Sequence, residues 1–180
     1  QHYTWADQDR WGIDDDAIFL EARKKLDLLV KQDQLFNLTV LTVDSHEPTK
    51  FPSYCTNITV SIDNPLSHGE MKDCINEKVL DFIGGIIRDG YLDNMDIVIL
   101  GDHLRRVRLK DIDWGARRFS STVFNVFISK DDFALKRDTM VHYDVQPSIL
   151  SLMGFDFPDG RIGVGHTVLD LKNRPSYSVD

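Results

Sequence analysis

Asp102 and His103 stand side by side at the end of VILGDH, where four apolar residues stop at a glycine. A carboxylate and an imidazole are the side chains most often recruited to hold a divalent metal, and together they suit Mn²⁺, Zn²⁺ or Fe²⁺. A phosphate substrate would favour an oxygen-rich site for Mn²⁺ or Mg²⁺. Adjacent residues on a strand point to opposite faces, so the two can share one ion only if the chain has turned after Gly101. A second polar cluster, Asp44, His46 and Glu47, follows another apolar run in TVDSHEP. If the two runs are neighbours in one parallel sheet, both clusters lie at its carboxyl edge, where ligands collect in open α/β sheets. The plainer account of the dipeptide is that Asp102 caps a turn and His103 is a surface residue, so the weight falls on the context.

The elements that must position these residues are legible as periodicities. From Trp11 to Gln34, three aspartates, Asp14 to Asp16, precede Ile18, Ala22, Leu26 and Leu29 at helical spacing, which predicts an amphipathic helix. Leu35 to Asp44 is β-rich and too apolar for clean alternation, as expected of a strand buried on both faces. Thr49 to Pro65 reads as a long polar excursion. A second helix runs from Ser67 to Gly90: Ser67 and Glu70 have capping-box spacing, and Met71, Cys74, Ile75, Val79, Phe82, Ile83, Ile86 and Ile87 trace its buried stripe. Gly84 and Gly85 fall inside that stripe, which favours close helix packing over a phosphate loop. Asp96 to Leu100 is a second buried strand, so the order strand, helix, strand predicts a βαβ crossover and a parallel sheet. Ser121 to Ser129 is a third, edge-like strand. Asp144 to Gly154 is a short helix with Pro147 in its first turn. The tail after it is rich in glycine and reads as irregular.

At 180 residues and 42% hydrophobic content the chain suits a single domain, residues 1–180, with a real core. The net charge of −8 argues against general nucleic-acid binding, which needs a basic face. No stretch is long and apolar enough to span a bilayer, and the first residues have neither a basic nor an apolar leader segment. The missing initiator Met suggests a mature or excised piece of something longer. Cys55 and Cys74 are compatible with one disulfide, worth about 3 kcal/mol through loop closure, or with two buried thiols.

The ordered set FNLTVLTVDSHEP, DCINEKVLDFI, DIVILGDHL, NVFISK, KRDTM and GVGHTVL resembles the C-terminal part of the alkaline phosphatase and sulfatase superfamily, from Trp11 to Leu169. Within it the chain looks most like the phosphoglycerol transferases, with the glucan-decorating branch nearer than the lipoteichoic acid synthase branch. The resemblance implies an α/β fold, a mainly parallel sheet with flanking helices. It implies that Asp102 and His103 are metal ligands, Mn²⁺ in this branch, with Zn²⁺ and Mg²⁺ as alternatives. His46 matches a histidine that contacts the phosphoglycerol group, although Glu47 stands where the family often has a second histidine. Cys55 and Cys74 match cysteines of the glucan branch, which favours a disulfide and a periplasmic or other extracytoplasmic setting. The nucleophilic Thr and a further acidic ligand belong to the family's N-terminal half, so this chain alone is expected to be nearly inactive. Thr42 and Ser45 are read as strand and turn hydroxyls. The implied reaction moves glycerol phosphate from a phospholipid-type donor to a glycan hydroxyl, in a parent protein anchored at the membrane.

Other positions fill in the picture. His166 lies in a glycine-rich turn able to return to the crevice and is a candidate substrate contact. Arg105, Arg106, Arg108, Lys110, Arg117 and Arg118 make a basic stretch that either attracts an anionic donor or membrane surface or is simply a solvated loop. Trp114 reads as the anchor of that loop, and Asp144 as a helix cap. Two other function classes remain open: a sulfatase, phosphodiesterase or phosphoethanolamine transferase of the same superfamily, and a metal-free α/β binding module.

Overall fold

A helix whose buried face repeats every three to four residues needs a partner surface, and the first two helices supply it to each other. The computed structural model describes residues 12–32, 34–46, 52–56, 65–103, 122–171 and 177–178. Glu47, most of the excursion from Thr49 to Pro65, the basic stretch from Arg105 to Arg118 and Trp114 lie outside the described residues. The chain divides into two units, Gln1–Tyr91 and Leu92–Asp180, each taken by itself below.

In the first unit, α1 (Asp15–Leu29) and α2 (Pro65–Arg88) pack together. The buried stripe of α1 is Asp15, Phe19, Ala22 and Leu26, centred on Phe19 rather than on the expected Ile18. Phe19 stacks on Phe82 of α2 with ring centroids 4.7 Å apart, a geometry that adds to simple area burial. Met71, Ile75 and Ile86 complete the buried face of α2, whereas Ile87, expected in the stripe, is exposed. Gly84 and Gly85 lie within α2 and so form no phosphate loop. A Cβ on Gly85 would sit 3.6 Å from the Arg23 guanidinium. That guanidinium is held by Asp27 and Asp89 and lies over the Tyr91 ring. Cys55 and Cys74 form a disulfide that ties the loop at 52–56 to α2.

The second unit is built from small pairs of strands around α3 (His142–Leu152). Strand β1 (Ile97–Leu100) pairs antiparallel with β2 (Asn125–Ile128), in the register Ile97 to Ile128. Strand β3 (Phe133–Leu135) pairs antiparallel with β7 (Leu169–Leu171), and β5 (Arg161–Ile162) with β6 (Gly165–His166). The one parallel pair among the described residues is β4 (Phe155–Asp156) with β8 (Tyr177–Ser178). Leu152, Val168 and Leu169 form the core, with Val98, Phe127, Phe133, Met140 and Leu171 packed against them.

The chain is thus mixed α/β, but the expected βαβ unit with a mainly parallel sheet is not what the described residues form. The run from Leu35 to Asp44, expected as a doubly buried strand, carries no strand. Phe36, Leu38 and Val40 are half-buried while Leu35 and Leu41 are 67% and 70% exposed, an alternation proper to a strand. A strand is defined by its ladder, and no ladder partner for this run exists among the described residues. β1 finds its neighbour in β2, and the antiparallel direction follows. The third helix also starts two residues earlier than its sequence suggests, so Pro147 is inside it rather than in the first turn.

The disulfide closes a loop of nineteen residues between a segment with little regular structure and α2. Replacing Cys74 by Ser is expected to lower stability by about 3 kcal/mol. Chemical denaturation of the variant and of the oxidised wild type checks this, and equal midpoints would refute it.

Candidate functional site

Asp102 and His103 follow β1 directly. The strand pairing reaches Gly101, whose N–H donates to the Phe124 carbonyl at 2.7 Å, and the chain then bends at His103. A side chain at Gly101 would meet the Val123 Cβ at 3.1 Å and the Phe124 nitrogen at 3.3 Å, so the close approach suits glycine. Asp102 Oδ1 accepts the His103 N–H at 2.8 Å, and its Oδ2 lies 3.4 Å from His103 Nε2. Both side chains are more than half exposed, at 72% and 56%. An oxygen and a ring nitrogen this close present two donors to one cation and fit a borderline or hard divalent ion. Among the described residues no group of three or more His, Cys, Asp or Glu side chains is arranged to hold a metal.

His142, expected just before the short helix, is the first residue of α3 and makes a contact that sequence reading did not foresee. Its Nε2 lies 3.0 Å from the Asp102 carbonyl oxygen, so the helix start is linked to the Asp-His turn. Forty residues separate the two positions, and no local pattern announces the contact.

What holds the start of α3 is Asp144, which is 2% exposed. Its Oδ2 accepts the Val141 N–H at 2.8 Å, capping the helix as expected, and its Oδ1 accepts the His166 N–H at 3.0 Å. The Arg137 guanidinium stands 2.6 Å from Oδ2. Burial by itself works against the charge on Asp144. The His166 and Val141 N–H groups and Arg137 outweigh it and hold the carboxyl below its usual range. His166 is therefore bound here through its backbone, and its side chain is exposed on β6. Gly165 before it is compulsory, since a Cβ there would sit 1.8 Å from the Tyr143 carbonyl oxygen. That carbonyl lacks its ordinary helical donor because residue 147 is proline. Ser148 completes the stitching: its Oγ donates to the Asp144 carbonyl at 2.7 Å and accepts the Val168 N–H at 3.1 Å.

Asp44 and His46 belong to the first unit. Asp44 Oδ2 accepts the Asp15 N–H at 2.8 Å and the Tyr54 hydroxyl at 2.6 Å. In return Asp15, fully buried, accepts the Val43 N–H at 2.8 Å. Burial pushes the Asp15 carboxyl up, opposed by that N–H and reinforced by the Asp44 charge. Burial and Asp44 also push the Tyr54 phenol well up, so Tyr54 remains a neutral donor. Ser53 adds a hydrogen bond to Asp14 at 3.0 Å, and Lys78 lies over the Tyr54 ring. His46 follows this clasp, exposed, in a turn closed by its own N–H on the Val43 carbonyl at 2.9 Å. The sequence marks Asp15 only as one of three acidic residues at the helix start. Its place at N1 of α1, where orphan N–H groups gather, was the one available hint.

The described residues thus form a mixed α/β chain with an exposed Asp-His pair just past a strand. Among known proteins, the chain is 30% identical over 167 residues to phosphoglycerol transferase I of Citrobacter koseri. It is equally similar to the proteins of that name from Salmonella typhi and Salmonella paratyphi B. The match covers 88% of this chain and 21% of each relative, so the chain spans about a fifth of their length. The chain is phosphoglycerol transferase-like in sequence. No family model and no solved structure matches it.

Two predictions follow from the carboxylates. Asp144→Ala strips three partners from a buried site and is expected to cost about 3 kcal/mol, read from denaturant midpoints. A loss within experimental error would show that the helix start is held by something else. Asp15 has a folded pKa above its ordinary 3.8, so its contribution is complete below that pH and declines as pH rises through the folded value. Asp15→Asn should therefore flatten the fall in melting temperature from acid towards neutral pH, relative to wild type. Parallel pH profiles would contradict this.

Proposed function

We propose that this chain is the C-terminal portion of a metal-dependent phosphoglycerol transferase. The whole enzyme moves glycerol phosphate from a phospholipid-type donor to a glycan hydroxyl. The observation that carries the reading is the Asp102 and His103 pair, with Oδ2 and Nε2 3.4 Å apart on the turn after β1, in a chain whose relatives bear that name. The disulfide supports an extracytoplasmic location, the periplasm or the outer face of the inner membrane, because such bonds persist in oxidising compartments.

In this reading Asp102 and His103 hold the divalent ion, Mn²⁺ first and Zn²⁺ or Mg²⁺ as alternatives. Such an ion, when bound, supplies Lewis-acid polarisation and charge neutralisation at the phosphoryl group. Asp102 orients the pair by accepting the His103 N–H. His142 fixes the Asp102 backbone from the start of α3. His46 and His166 are assigned to substrate, as hydrogen-bonding groups for the phosphoglycerol and its surroundings. The nucleophile and the remaining acidic ligand are supplied by the rest of the longer polypeptide. Phosphoryl transfer depends mainly on positioning and charge, so a chain with part of the ligand set turns over little by itself.

The test is thermal melting with and without manganese, in wild type and His103→Ala. Wild type should melt at a higher temperature as the ion is added, by an amount that grows with its concentration over Kd, and the variant should not respond. A wild type indifferent to manganese, zinc and magnesium would remove the metal from the reading. Turnover of a chromogenic phosphodiester by this chain, lost in His103→Ala, would show instead that it carries its own nucleophile.

A further inference from the structure

Pro52 to Cys55 is a four-residue turn, closed by the Cys55 N–H on the Pro52 carbonyl at 3.0 Å. Its last residue is cross-linked to Cys74 of α2, so the turn has one fixed end. The two central residues reach across to the acidic groups: Ser53 Oγ donates to Asp14 at 3.0 Å, and the Tyr54 hydroxyl donates to Asp44 at 2.6 Å. Lys78, one helical turn after Cys74, lies over the Tyr54 ring.

Asp44 Oδ2 also accepts the Asp15 N–H at 2.8 Å, and Asp15 in return accepts the Val43 N–H at 2.8 Å. The turn that carries His46 begins at this same Val43, whose carbonyl accepts the His46 N–H at 2.9 Å. A line of contacts therefore runs from the disulfide through Tyr54 and Asp44 to the backbone that sets His46. Every link after the disulfide is noncovalent and of modest net worth in water. Packing of α1 on α2 runs instead through Phe19 and Phe82, Met71, Ile75 and Ile86, none of them in the 52–56 loop.

We infer that Tyr54 is the positioning residue for His46 and that the disulfide is the lock on it, so that reduction releases the His46 turn while the two helices stay packed. The reductant is a dithiol. Its thiolate attacks the sulfur of Cys74, the less buried partner, and the Cys55 sulfur leaves as a thiolate and is protonated. The second thiol then resolves the mixed disulfide, leaving two cysteine thiols and an oxidised dithiol. The release rests on these contacts alone, whereas its bearing on substrate, through His46, rests on the transferase reading.

The full chain is followed by amide hydrogen exchange and by the His46 ring-proton shifts, first oxidised and then reduced with dithiothreitol. Exchange at the Asp15 and Val43 amides should quicken about tenfold on reduction, as for loss of one hydrogen bond to a charged group, and the His46 ring shifts should move. The Ile83 amide, inside α2, should keep its protection. Tyr54→Phe in the oxidised chain keeps the ring and removes the hydroxyl, so it should reproduce both changes, with reduction then adding little. Unchanged exchange at Asp15 and Val43 on reduction, equal quickening along both helices, or an oxidised Tyr54→Phe chain indistinguishable from wild type would overturn the inference. The reduced wild type carries the test even where the variant does not fold. Manganese-dependent melting reads the transferase assignment separately: a chain that frees His46 on reduction and ignores manganese keeps the lock and loses the transferase.

Discussion

The second unit depends on one buried carboxylate. Asp144 joins three pieces of chain at one point: the Val141 N–H at the start of α3, the His166 N–H on β6 and the guanidinium of Arg137. A buried charge is tolerable only when its lone pairs are filled, and here each oxygen has a partner. The strands around α3 are two to four residues long, too short to hold one another firmly. The carboxylate adds to the short β3–β7 pairing a tie between those strands and the start of α3. Because it fixes the first turn of α3, it also fixes His142, and through His142 the backbone of Asp102.

The first unit uses the same device in another form. Asp15 and Asp44 exchange backbone N–H donors across twenty-nine residues, and Tyr54 closes the group from the loop held by the disulfide. Two carboxylates this close repel, and burial raises the cost of charging Asp15. The arrangement keeps the end of the 34–44 segment against the start of α1, and so positions the turn that carries His46. In the first unit Asp44, which the sequence places in a candidate polar cluster, does structural service behind the exposed His46; in the second Asp144, read as a helix cap, does so behind the exposed His142.

Much of this order was legible in advance. The spacing of apolar residues located both long helices, and the VIL run located β1, because those signals are local and repeat within one or two turns. Gly90 and Gly154 both adopt positive φ, where glycine is unhindered, as expected of residues just past a helix. The segment from Leu35 to Asp44 shows where such reasoning stops. Its composition and alternating exposure are those of a strand, yet strand status needs a ladder partner, and none exists among the described residues. The expected parallel sheet, which the described residues do not form, followed from the same step: periodicity says that a segment is extended, and nothing in it says which neighbour it will meet or in which direction.

The sequence by itself determined the helices, β1, the adjacency of Asp102 and His103 and the likeness to phosphoglycerol transferases, all properties of residues near one another in the chain or of their order. The disulfide expected between Cys55 and Cys74 is present, whereas tertiary structure alone decided that β1 pairs with β2, that Asp15 is buried and that His142 reaches Asp102. The physical reason is that burial and hydrogen-bond partnership are settled by competition among distant segments for the same surface. A chain records its local preferences, and the outcome of that competition exists only once it has folded.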